Sequence, residues 1–196
     1  MLAELLGASV FAFLAALSLP VLVVVLIYNG LIGKRNRASN ALATVDVMLK
    51  KRYDLVPNLV AVVQGYVEHE RGVLTLVTEL RSKAVSGELS NPEKADLNNQ
   101  LTAALKTIFA VAEGYPDLKA NKGFLQLQAT LTELEEQISA ARRAFNAAIL
   151  EYNNAVEMLP SSIIASALGW RRKGFFEASD AEKAKPVVGA GLAGGR

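Results

Sequence analysis

Apolar positions along this chain fall into two regimes. From Leu5 to Gly33, "LLGASVFAFLAALSLPVLVVVLIYNGLIG", no side chain is charged. Beyond that run the apolar residues recur at alternating steps of three and four. Leu42, Val45, Leu49, Tyr53, Val56, Val60, Val63 and Val67 make a first stripe, which Leu74 and Val77 extend. Leu97, Leu101, Ala104, Ile108 and Val111 make a second. Phe124, Leu127, Leu131, Leu134, Ile138, Ala141, Phe145, Ala148 and Tyr152 make a third and longest. Steps of three and four keep each set on one side of an α-helix, whereas a strand would need alternation in twos, and no segment shows it. The pattern predicts an all-α protein: an N-terminal transmembrane helix followed by a long antiparallel helical bundle or coiled coil.

The uncharged run is longer than the ~20 apolar residues that cross a hydrocarbon core as a helix. A secretory signal would open on basic residues, but the only charged side chain before the run is Glu4, so residues 1–33 read as a retained anchor. Pro20 is expected to kink it, which bilayer helices tolerate. Lys34, Arg35 and Arg37 follow at once, then Lys50, Lys51 and Arg52. Cations on that flank are expected to place the helical domain in the cytoplasm and the short N-terminus outside.

Local signals set the other boundaries. "SGELSNPEKAD" ends the first helix near Gly87 and restarts the chain, with Asn91 as expected N-cap, Pro92 first in the helix and Glu93 at its positive end. Gly114 suits a helix terminus, Pro116 stops propagation, and Asn121 caps the third helix, which is expected over about Lys122 to Met158. Pro160 then disfavours helical geometry at Leu159. The expected organisation is an anchor (1–33), a helical domain (34–158), an amphipathic aromatic and basic segment (159–177) and a flexible glycine-rich tail (178–196). A first helix running from about Leu31 to Val85 would be roughly 80 Å long, and the second is too short to retrace it. Either the first helix bends, or part of its stripe is left for another copy of the chain. That leftover stripe is the sequence argument for a homo-oligomer.

Pro57 lies inside the first stripe and removes the donor that would bond the Tyr53 carbonyl. A kink or local widening is the structural reading; a water or ligand held by that carbonyl with Asp54 or Asn58 is the functional one.

Composition narrows the chemistry. The 196 residues have room for one domain and little more, with no cysteine and one histidine, His69. That excludes disulfides, a cysteine nucleophile, zinc-thiolate sites and two-histidine metal sites within one chain. A net charge of +2 lacks the basic surplus of a nucleic-acid binder. "HERGV" at His69 lacks the second histidine of a zinc-protease motif. Glu133, Glu135 and Glu136 come without the Glu-x-x-His pairs of helical di-metal sites, so they read as a solvated face. No cofactor and no catalytic group are expected.

Longer strings carry a resemblance. "YNGLIGKRNRASNALATVDVMLKKRYDLVPNLVAVVQGYVEHE", then "YPDLKANKGFLQLQATLTELEEQISAARRAFNAAILEYNNAVEMLPSSIIA" and "GFFE" resemble the LemA family of bacterial membrane proteins, over about residues 28 to 177. Its recurring "RN–N" falls on Arg35, Asn36 and Asn40, "RYDL-PNL" on Arg52 to Leu59, and "YN" on Tyr152 and Asn153. Phe145 departs from the pattern, where the family often has tyrosine, and the glycine-rich tail looks particular to this chain. The resemblance implies one N-terminal anchor, a long helical bundle commonly placed in the cytoplasm, and no established enzyme chemistry.

Asn146 and Asn153 lie seven apart beside the third stripe, where a polar residue can fix helix register. Their expected partners are on the first helix, among Asn36, Asn40, Asp46, Arg52 and Asp54; with Arg35 and Asn58 these form the candidate interhelix or assembly positions. At the C-terminal end, Trp170, Phe175 and Phe176 flank Arg171, Arg172 and Lys173. Aromatics beside cations suit an anionic headgroup zone, while the rival reading packs them on the bundle or on a neighbouring copy. An out-back-out path of three helices would leave residue 160 far from the anchoring bilayer. The expected function is a membrane-anchored, self-assembling helical scaffold that organises, shapes or tethers the bilayer or other membrane proteins. The alternative is an adaptor presenting clients to a membrane protease or signalling complex.

Overall fold

The structure, a computed structural model, describes residues 2–67, 70–87 and 89–176, with side chains from Ser18 onward. Six helices follow in order: α1 (Leu2–Gln64), α2 (Arg71–Ser86), α3 (Asn91–Ala112), α4 (Pro116–Lys119), α5 (Lys122–Glu157) and α6 (Ser161–Ala167). Among the described residues there is no strand. The expected flexible tail, from 178, and His69 lie outside the described residues.

α1 continues through both Pro20 and Pro57 and ends at Gln64, about twenty residues before the expected end near Gly87. The helix closes on a turn in which the Tyr66 and Val67 amides both donate to the Val63 carbonyl, at 3.0 and 3.1 Å. Gly65, a poor helix former, sits in that turn. The single rod from Leu31 to Val85 is therefore replaced by a helix, a reversal and a second helix. Periodicity concealed the break because Val67, although outside any helix, is buried in step with Val63 and Leu74.

The packing divides the chain into two compact units, and both α1 and α5 contribute to each. The first comprises residues 1–46 and 140–174. In it Leu31 of α1 is buried with Tyr152 and Val156 of α5 and Ala165 of α6, and Ile27, Ala155, Ile164 and Trp170 pack around them. Lys34 and Arg37 both reach Glu151, at 3.7 and 3.6 Å. The C-terminal end of α5 thus lies against α1 where the uncharged run finishes. The segment around residue 160 is therefore not remote from the end of the anchor, contrary to the three-helix path.

The second unit comprises residues 47–139 with the segment beginning at Phe175. α2 returns along α1, as the bond from Arg81 to the Tyr53 carbonyl shows. α3 begins one residue earlier than expected: Ser90, not Asn91, is the N-cap, and Pro92 is second in the helix. The Glu93 carboxylate accepts from the Ser90 amide at 2.8 Å and from its hydroxyl at 2.6 Å. Those two bonds hold the Glu93 carboxyl below its ordinary range. Pro116 does not merely stop a helix; it opens the one-turn α4. Asn121 caps α5 as expected, its Oδ1 accepting from the Phe124 amide at 3.0 Å, while its Nδ2 donates to the Tyr66 hydroxyl at 2.9 Å. Phe124 then meets Phe109 of α3 edge-on, ring centres 6.2 Å apart.

The stripes are covered within one chain. Val45, Leu49, Tyr53, Val56, Val63, Val67, Leu74 and Val77 are all buried, as are Leu101, Ala104 and Ile108, and Phe124, Leu131, Leu134, Ile138, Ala141, Phe145 and Tyr152. The remaining stripe members are half-buried. No stretch of stripe is left over for another copy to cover, so that argument for self-association falls away.

Candidate functional site

Two polar constellations stand out, one in each unit. In the second, Arg52 lies beside the stripe residue Tyr53, between Leu49 and Val56, and is buried. Burying a guanidinium is costly unless acceptors surround it. Here its Nη1 donates to Asn98 Oδ1 and to Thr102 Oγ1, each at 2.9 Å, and lies 2.6 Å from Glu135 Oε2. Thr102 Oγ1 is 3.2 Å from the same carboxylate oxygen. One cation thereby joins α1, α3 and α5. Glu135, read from the sequence as part of a solvated face, is half-buried and turned to Arg52; of its neighbours, Glu133 accepts from Gln137 and Glu136 is exposed.

One turn further on, Pro57 supplies no amide for the Tyr53 carbonyl. Arg81 of α2 takes the vacant role, donating from Nε at 2.9 Å. The carbonyl considered as a ligand site is thus occupied by the protein itself. Asp54 faces outward and pairs with Lys50 at 3.0 Å; with Lys51, Leu55, Thr130, Glu133 and Gln137 it borders a shallow surface groove. Asn58 is exposed.

In the first unit the constellation is a clasp. α6 ends in a tight reversal: the Trp170 amide donates to the Ala165 carbonyl and the Gly169 amide to that of Ser166, with Gly169 at φ +68°. Glycine adopts that left-handed conformation without steric cost, and this bond pattern is a helix-ending Schellman motif. The reversal directs Trp170 back onto α1, against Tyr28, ring centres 6.2 Å apart, and beneath the Arg35 guanidinium at 5.2 Å. Buried Asn153 then grips the chain beyond: its Nδ2 donates to the Lys173 carbonyl and its Oδ1 accepts from the Lys173 amide, both at 2.9 Å. The Tyr152 hydroxyl donates to the Arg171 carbonyl at 3.2 Å, and the Lys173 ammonium lies 5.4 Å from the Tyr152 ring. Arg172 pairs with Glu157 at 3.2 Å.

Several expected pairings are redistributed. Asn153 bonds the C-terminal segment at Lys173, and Arg52 bonds Asn98, Thr102 and Glu135. Asn36 and Asn40 are exposed on α1, and the Asn40 carbonyl accepts from Thr44. Asp46 and Asn146 are half-buried. Phe176 is buried and Phe175 exposed, both in the second unit. Asn98, Thr102, Arg81 and Glu151 were not singled out from the sequence. Arg52 itself gave a signal, a charge next to a stripe residue that must find acceptors if buried; nothing local marked which ones.

An uncharged run on the N-terminal helix that continues into paired helices, with polar motifs engaged in helix-to-helix and clasp contacts, marks a membrane-associated helical protein. α1 is long and apolar enough to cross a bilayer, and its Leu19–Leu26 face is exposed. The chain belongs to the LemA family, whose sequence profile matches residues 41–189. It is 25% identical to Protein LemA of Metamycoplasma hominis over 79% of this chain and 71% of that protein. It is 20% identical to the magnetosome protein MamQ of Magnetospirillum gryphiswaldense, over 76% of this chain and 64% of that one. With magnetosome protein MamQ 2 of Paramagnetospirillum magneticum the identity is 22%, over 86% and 69%.

Proposed function

We propose that this chain is a membrane-anchored helical scaffold, with its helices on the cytoplasmic side of a bacterial inner membrane, that organises or tethers the bilayer and membrane proteins without catalysing a reaction. The observation that carries this reading is the use made of the family motifs. Arg52, the Tyr53 carbonyl and Asn153 are each spent on holding helices or the C-terminal segment together, and the cations after Gly33 favour a cytoplasmic domain. The likeness to magnetosome proteins supports a role at membranes. Assembly of several copies remains part of the proposal, on a different footing from the stripes: co-anchoring in one bilayer raises the local concentration of copies.

The test is in two parts. Carbonate-washed membranes should retain the full chain, and added protease should cut the helical domain only in inverted vesicles. Photocrosslinking in cells from exposed positions such as Thr107 should capture the same chain and membrane proteins. Capture of mainly soluble client proteins would favour an adaptor instead, and release by carbonate would end the anchored reading.

A further inference from the structure

The clasp sits where α1 leaves its uncharged run, and much of its outer surface is apolar. Met158, Leu159 and Ile163 are 62%, 75% and 65% exposed, and Leu168 is 44% exposed. These are not scattered surface residues: they belong to one short stretch that the Asn153 grip and the Trp170–Tyr28 contact fix against α1. The same end of this unit is basic. Residues 27–38 and 151–174 contain six cations (Lys34, Arg35, Arg37, Arg171, Arg172 and Lys173) against two carboxylates, Glu151 and Glu157. A span starting near Leu5 and needing ~20 residues ends a few residues before Tyr28, which puts Tyr28 and Trp170 at headgroup depth. Arg35 follows Tyr28 by seven residues, roughly 10 Å further along the helix.

We infer that the α6 clasp is a second membrane contact: Leu159 and Ile163 enter the acyl boundary of the leaflet from which α1 emerges, and Arg171 and Arg172 meet its anionic headgroups. Continuity with the anchor and the charge of this end select lipid as the occupant. An apolar face rimmed by cations is what binds an interface of this kind. The inference rests on the anchored reading above.

The chain has no cysteine and one tryptophan, so both probes are clean. Full-length protein carrying Ile163→Cys or, as reference, Thr107→Cys is spin-labelled and reconstituted into vesicles of phosphatidylcholine with or without a quarter phosphatidylglycerol. The label at 163 should relax with oxygen and be shielded from a water-soluble nickel chelate, and the label at 107 should show the reverse. Lipid brominated at shallow acyl carbons should quench Trp170 at least twofold. Arg171→Gln with Arg172→Gln should lower the inserted fraction several-fold in anionic vesicles only. A label at 163 as open to nickel as that at 107 overturns the inference, and so does one shielded from both reagents, which would mean protein packing. Carbonate resistance of the same samples separates failure of the clasp from failure of the anchor, and unchanged helical circular dichroism confirms that each variant is folded.

Discussion

Arg52 ties three helices of the second unit through one guanidinium. Its partners differ in how they respond to its loss. Asn98 is buried and would be left with an unmet acceptor, whereas Glu135 is 33% exposed on its side chain and can turn to water. Removing one member of a fully buried pair costs about 3–5 kcal/mol, and because Glu135 can turn to water Arg52→Met should cost less than that, about 2–3 kcal/mol. Urea unfolding of the detergent-solubilised chain measures it, and a change under about 0.5 kcal/mol, as expected of an ordinary surface site, would contradict the geometry. Glu93 offers a second measurement. Its carboxyl is held below its ordinary value by the Ser90 bonds, so its contribution to α3 is present at neutral pH and is lost as pH falls below about 4.5 through the depressed value. Ser90→Ala should return the Glu93 titration, followed by NMR, toward the ordinary carboxylate range.

At the scale of elements, the α1–α2 pairing compensates for a proline. If Arg81 replaces the donor that Pro57 lacks, the two positions must be coupled. Arg81→Met in the native background should cost about 1–2 kcal/mol, the penalty for a carbonyl deprived of its donor. In a Pro57→Ala background, residue 57 regains an amide for the Tyr53 carbonyl, and the same change should cost almost nothing. A double-mutant cycle showing additivity within about 0.3 kcal/mol would refute the compensation.

Most of the helical elements were legible because buried positions recur every three or four residues over long segments, as the α5 stripe from Phe124 to Tyr152 shows. The reversal at Gly65 was not, because its flanking residues preserve the phase of the stripe. Gly65 and Gly72, on either side of the turn, were the available signal. Among the site residues, Asn153 was visible as a polar group beside a stripe. Its partner is a backbone, which no side-chain pattern encodes.

At the scale of the whole molecule, the covered stripes change what assembly would mean. If copies associate, they do so through the anchor or through surfaces the stripes do not supply. Light scattering of the full chain in mild detergent should give a protein mass that is a multiple of 21.0 kDa if assembly survives extraction. A constant single-chain mass at every concentration would remove the assembly half of the proposal and leave the anchored half standing.

α1 runs without a break from its uncharged stretch to the clasp contacts at Tyr28 and Arg35. If α1 spans the bilayer as proposed, such a helix would act as a shaft, carrying bilayer thickness and tilt to Leu31 and its neighbours. Thinning the membrane should lean the shaft and shift the clasp with it. The protein's presented face would then depend on the lipid around it, a sensitivity that a tethered domain on a loose leash could not have.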